Sequence, residues 1–121
     1  MVEGFLEDLK RAWEAGDATN AARLYHEDAE HQDGVGRQGT LFRGRVAIRN
    51  AIQEMFAVRD PRFTVTSLFS IGDRGAAEWT FSWGDSQDES RLAIRGASVF
   101  EFREGLVAKE VSYYDPVPAP V

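Results

Sequence analysis

The side chains able to do chemistry crowd into one stretch, Tyr25 to Gly39, reading YHEDAEHQDGVGRQG. It holds both histidines of the chain, His26 and His31, together with Glu27, Asp28, Glu30 and Asp33. The chain has no cysteine, so thiolate nucleophiles, disulfides and cysteine metal sites are excluded. Catalysis is left to carboxylate, imidazole, phenol or hydroxyl. On an extended segment, alternation places His31 and Asp33 on one face. A carboxylate at the mouth of an apolar cup is partly desolvated, the condition under which it serves as a proton shuttle. Asp33 and His31 are therefore the candidate catalytic residues. The competing reading has Asp33 capping the glycine-rich loop by accepting backbone N–H bonds, as Asp before Gly often does.

Two motif readings fail on their context. Gly34 to Gly39 satisfies G-x-G-x-x-G, but a dinucleotide-binding unit needs a hydrophobic strand before it and a helix directly after it. Here the chain continues Thr40, Leu41, Phe42, Arg43. His26 to His31 resembles H-E-x-x-H, yet its histidines are five residues apart, and only a spacing of four shares a helical face. No metal and no cofactor is expected, and His26 is read as a surface residue.

The elements that must position Asp33 follow from length and pattern. At 121 residues one domain is expected over residues 1–115, followed by a proline-rich tail over 116–121 that cannot continue a ladder. The formal charge of -6 argues against nucleic acid or an anionic membrane as partner and leaves neutral or cationic small molecules. No segment approaches the roughly 20 apolar residues that span a bilayer. The amino terminus MVEGFLEDLK lacks a charged-then-apolar leader pattern, so a cytoplasmic location is expected.

Phe5, Leu6, Leu9, Ala12 and Trp13 recur at helical spacing and predict an amphipathic helix from Val2 to Trp13. Gly16 stops it, and Asp17 caps a second helix expected to run to about Asp28 with Ala21, Leu24 and Tyr25 buried. A short strand over Ala29 to Asp33, a loop from Gly34 to Gly44 and a third helix from Val46 to Val58 follow. The second half changes period. Phe63 to Ile71, Ala76 to Trp83, Leu92 to Arg103 and Leu106 to Asp115 read as antiparallel strands, separated by turns at 72–75, 84–90 and 104–105. Three helices followed by a run of strands predict an α+β fold, with the helices on one face of a curved sheet.

In the third of these strands Leu92, Ile94, Ser98, Phe100 and Phe102 form the inner face. In the second, Trp79, Phe81 and Trp83 alternate with Glu78, Thr80 and Ser82. Periodicity alone buries the aromatics, whereas a sheet covered by a second subunit could turn them outward.

The order helix, AGD, helix, LYHEDAE, loop, FRG, AIR, then strands ending GASVFEFREG and SYYD resembles the SnoaL-like branch of the nuclear-transport-factor-like superfamily, from Phe5 to Asp115. The resemblance implies a cone-shaped cup of three N-terminal helices packed on a curved, mainly antiparallel sheet, dimerised through the sheet's outer face. Members include ketosteroid isomerases, polyketide cyclases, limonene epoxide hydrolases, dehydratases and non-catalytic binding domains, so fold alone does not fix function. Asp33-Gly34-Val35-Gly36 is similar to the isomerase's base motif, with Gly34 in place of proline. Leu9 and Ser98 stand where that enzyme carries its tyrosine and protonated aspartate, so its strong oxyanion donors are missing. Glu78, Thr80 and Ser112 stand where the epoxide hydrolase carries its catalytic triad, which is therefore absent.

Both comparisons turn Glu78, Thr80, Ser98, Glu110, Ser112 and Tyr114 into the cup and send Trp79, Phe81 and Trp83 outward into a homodimer interface. The resulting expectation is a small-molecule protein holding a hydrophobic ligand against Leu9, Trp13, Phe56, Glu78, Ser98, Phe100, Glu110 and Tyr114. Asp33 would act as general base for a cofactor-independent isomerisation, cyclisation or dehydration. The alternative is a non-catalytic ligand-binding or dimeric interaction domain of the same fold.

Overall fold

In the computed structural model, which describes residues 2–36, 39–84 and 91–121, the amphipathic pattern at the amino terminus forms α1 (Val2–Glu14). Leu6, Leu9, Ala12 and Trp13 are buried and Glu7, Asp8, Arg11 and Glu14 are exposed. Gly16 ends the helix with φ of 67°, and a Cβ there would lie 2.8 Å from the Phe56 ring. Glycine is thus required twice, by the backbone and by the close approach. Asp17 accepts from the Asn20 N–H at 3.0 Å and caps α2 (Ala18–Ala22).

The second helix is much shorter than its pattern predicts, because Tyr25–Asp33 is a strand, β1. The segment is poor in strand formers, but it lies between two partners. β2 (Thr40–Arg43), inside the expected loop, pairs with it antiparallel, and β6 (Leu106–Tyr114) pairs with it parallel. Two ladders of backbone hydrogen bonds override local propensity. α3 (Arg45–Met55) buries Ile48 and Ile52 and ends one turn earlier than expected.

β3 (Arg62–Ile71), β4 (Arg74–Trp83), β5 (Leu92–Arg103) and β6 follow as antiparallel neighbours. The sheet order is β2-β1-β6-β5-β4-β3, with the helices on its inner face, so the α+β cone is present. Most of the turn expected over 84–90, and Arg37 and Gln38 of the G-x-G-x-x-G stretch, lie outside the described residues. The tail does continue a ladder: β7 (Ala119–Pro120) pairs with the start of β5, placing Ala119 opposite Ala93. Proline is tolerated there because the pairing is a two-residue edge.

Register decides which side chains enter the cone. Trp79 pairs with Gly96, Phe81 with Ile94 and Ala77 with Ser98. Directly paired residues share a face, and a slip of one residue would reverse all of them. Since Ser98 and Phe100 are buried on the inner face, Trp79, Phe81 and Trp83 face inward too, and Glu78 and Thr80 face outward. This corrects the orientation implied by the family comparison: Glu78 is not a cup residue, and the three aromatics cannot form an outer interface. The periodicity of the strand gave the right face.

Candidate functional site

A cavity of about 380 Å³ opens between the helices and the inner face of the sheet, within the range of small-molecule sites. Its apolar wall comes from Leu6, Leu9 and Trp13 of α1, Ile52 and Met55 of α3, and Phe63, Trp79, Phe81 and Trp83 of β3 and β4. Trp13 lies 5.1 Å from Phe63 between ring centroids, and Phe63 stacks on Trp79 at 5.4 Å. Phe56 is a correction: it packs on Trp13, Phe63 and Phe81 from behind but does not line the cavity.

The polar wall is built by three adjacent strands. β1 contributes His31 and Asp33, which pair in register with Glu110 and Ser112 of β6. β5 contributes Ser98, opposite Ser112. Tyr114 follows on β6, opposite Gly96. Register therefore assembles Asp33, His31, Ser98, Glu110 and Tyr114 on one wall, joined by Leu9, Trp13 and Phe100 from the surrounding surface. His26 is half-buried, its Nε2 against the carbonyl of Arg103.

Glu110 is 3% exposed and is the sink of a continuous hydrogen-bond chain. The Trp79 Nε1–H donates to Ser98 Oγ at 3.0 Å, and Ser112 Oγ donates to Glu110 Oε2 at 3.3 Å. Ser98 and Ser112 hydroxyls lie 2.8 Å apart. Because Ser112 has spent its hydrogen on Glu110, Ser98 is the donor of that pair. From the other side the Tyr25 hydroxyl donates to Glu110 Oε1. Burial first, and the Glu110 charge and hydrogen bond after it, push the Tyr25 phenol well above its ordinary pKa.

His31 Nε2 lies 3.1 Å from Ser112 Oγ and 3.6 Å from Glu110 Oε2. With the Ser112 hydrogen committed to Glu110, Nε2 carries the proton and donates, and the buried Nδ1 has no partner among the described residues. Sequence reasoning placed Glu110, Ser98 and His31 on this wall. It missed that Tyr25 and Trp79 complete the chain, since Tyr25 was read as a helical core residue and Trp79 as an outward one.

Asp33 is half-buried and belongs to a separate couple. The Tyr114 phenol stands beside it, and burial first, then the Asp33 charge and its interaction with the hydroxyl, push the phenol up to about 12. Gly34 follows with φ of 79° and its N–H bonded to the Ser112 carbonyl at 3.0 Å. Glycine meets the positive φ that proline at this position would forbid. Among the described residues no Lys or Arg pairs with Asp33, no group of three His, Asp or Glu side chains is placed to hold a metal, and no helix is long and apolar enough to cross a membrane.

The family model described as "SnoaL-like domain" matches residues 2–110. Among curated proteins none matches the chain. Solved structures with the same fold include a candidate polyketide cyclase from Xanthomonas campestris pv. campestris, at 21% identity over 94% of this chain and 90% of that one, TM-score 0.75. A candidate ketosteroid isomerase from Kribbella flavida is similar at 19% identity over 99% and 82%, TM-score 0.78. A protein from Catenulispora acidiphila with a ketosteroid isomerase-like fold, solved in complex with trimethylamine, is similar at 18% identity over 93% and 85%, TM-score 0.77. At these identities the likeness is one of fold.

Proposed function

On the premise that the chain belongs to the SnoaL-like domain family, as the match over residues 2–110 establishes, we propose that it binds a small, largely apolar molecule in the cone and uses Asp33 as a general base. The observation that carries the reading is a half-buried carboxylate on the wall of an apolar cavity, beside the Tyr114 phenol and with no cation paired to it among the described residues. Such a group can take a proton from carbon next to a carbonyl and return it elsewhere, the step common to isomerisation, cyclisation and dehydration. Tyr114 stands beside Asp33 on that wall. The Glu110 chain keeps the wall rigid.

The test is exchange of solvent deuterium into the α-carbon of a panel of small cyclic ketones, read by NMR. Asp33→Asn is expected to slow the exchange by roughly 100-fold or more, the usual contribution of a positioned base. Exchange at the wild-type rate in the variant refutes the assignment.

A second reading, ligand binding without chemistry, is favoured by one specific observation. The indole and hydroxyl donors of Trp79, Ser98, Ser112 and Tyr25 are all spent within the protein, so none of these four is left for an oxyanion. Ligand binding with no exchange in the wild type selects it. In either reading the protein works as a homodimer through the outer face of the sheet. There Phe69, Ala76, Val99 and Val111 form one cross-strand apolar row, and Phe69 is 58% exposed.

A further inference from the structure

The wall around Asp33 is a corner of unlike surfaces. Tyr114 stands beside Asp33 while its ring meets the Trp79 indole at 5.8 Å between centroids and 57° between planes. Gly96 makes the approach possible. It pairs with both Trp79 and Tyr114, and a Cβ on it would sit 2.7 Å from the indole. Behind Trp79 the stacked Phe63 and then Trp13 continue the aromatic surface. A carboxylate thus stands beside the Tyr114 ring, which in turn meets the Trp79 indole on the same cavity wall.

The charge is unbalanced as well. Among the described residues the cavity is lined by the carboxyl groups of Asp33, Glu54 and Glu110, against Lys10 and the His31 imidazole that stands beside Glu110. Glu110 is served by hydroxyls, and among the described residues Asp33 has no cationic partner. Aromatic faces and an unpaired carboxylate in a low-dielectric cavity attract a bulky, weakly hydrated cation. A compact, strongly hydrated one loses too much solvation to enter.

We infer that the ligand of this cavity carries a tertiary or quaternary ammonium group that seats between Asp33 and the Trp79 and Tyr114 rings, with its apolar body along Phe63 and Trp13. This rests on the cavity being the ligand site, the part shared by the catalytic and the binding readings. Asp33 is then the counter-ion, and in the catalytic reading it draws the acidic C–H of an amine-bearing substrate to itself.

The test compares benzyltrimethylammonium with its uncharged isostere neopentylbenzene, read by quenching of tryptophan emission on the full chain. The cation is expected to bind at least about tenfold more tightly, and Asp33→Asn is expected to abolish the preference. Tyr114→Phe keeps the ring beside Asp33, so it retains the preference; Tyr114→Leu reduces it. A thermal melt on each variant confirms the fold. Equal binding of the two probes, or an undiminished preference in Asp33→Asn, overturns the inference and leaves the cavity as a ligand site. Binding of neither probe at millimolar concentration overturns the inference, and only if the small ketones fail to bind as well does the cavity reading fall with it.

Discussion

Gly96→Ala is the most revealing single change. The new Cβ would lie 2.7 Å from Cζ2 and 2.8 Å from Cη2 of Trp79, and 2.7 Å from the Tyr113 carbonyl oxygen, distances at which something must move. Overpacking a well-filled site costs about 1–3 kcal/mol. Moving the indole also breaks its 3.0 Å bond to Ser98, worth about 1 kcal/mol net. The sum, about 2–4 kcal/mol, lowers the melting temperature of a domain of this size by roughly 10 °C. Urea denaturation followed by tryptophan emission and by circular dichroism measures both the loss and the changed Trp79 environment.

The double variant Gly96→Ala with Trp79→Leu separates the ring contact from the carbonyl contact. It should be more stable than the sum of the single changes by about 1 kcal/mol, because the ring clash is gone. A Gly96→Ala protein within about 0.5 kcal/mol of wild type, with unchanged emission, refutes the inward placement of Trp79.

Three further outcomes follow from the same wall. Tyr114 holds its proton to about pH 12 in the folded chain against an ordinary 10, so its contribution to stability is whole below pH 10 and is lost as pH rises through about 12. In ultraviolet titration Asp33→Asn should move the Tyr114 midpoint only part of the way down, since burial is the larger cause; a midpoint unmoved by the substitution refutes the couple. Glu110→Gln turns an amide N–H toward a hydroxyl that now donates to a carboxylate, and should cost about 1–3 kcal/mol in chemical denaturation; wild-type stability would refute the chain as drawn. For the proposed dimer, Val99→Arg places a charge in the outer apolar row and should shift sedimentation toward monomer, whereas Trp83→Ala, on the inner face, should not. The reverse pattern refutes that interface.

Periodicity and turn chemistry were enough to read α1, α3 and the four long strands from the sequence, because each buries one face and its side chains repeat at the period of its backbone. Asp33 and His31 were legible for the same reason, as an i, i+2 pair before a glycine. The strand at Tyr25–Asp33 was not, since its polar residues carry no strand signal and only the ladders from β2 and β6 hold it extended. Nor was the tail, whose two-residue pairing is with the start of β5, Leu92 opposite Pro120 and Ala93 opposite Ala119.

Alternation in β4 put Trp79, Phe81 and Trp83 on one face, and the rule that aromatics go inside was the correct guide; the family comparison misled because parity is carried by register, not by alignment. What only tertiary structure decided is the wall itself. Asp33 meets Ser112, His31 meets Glu110 and Ser98 meets Ser112 through pairings between residues 14 to 79 positions apart. A local pattern can say which way a side chain points from its own strand. It holds no information on which side chain of a distant strand will lie opposite, and that juxtaposition is what turns separate acids, hydroxyls and rings into a site.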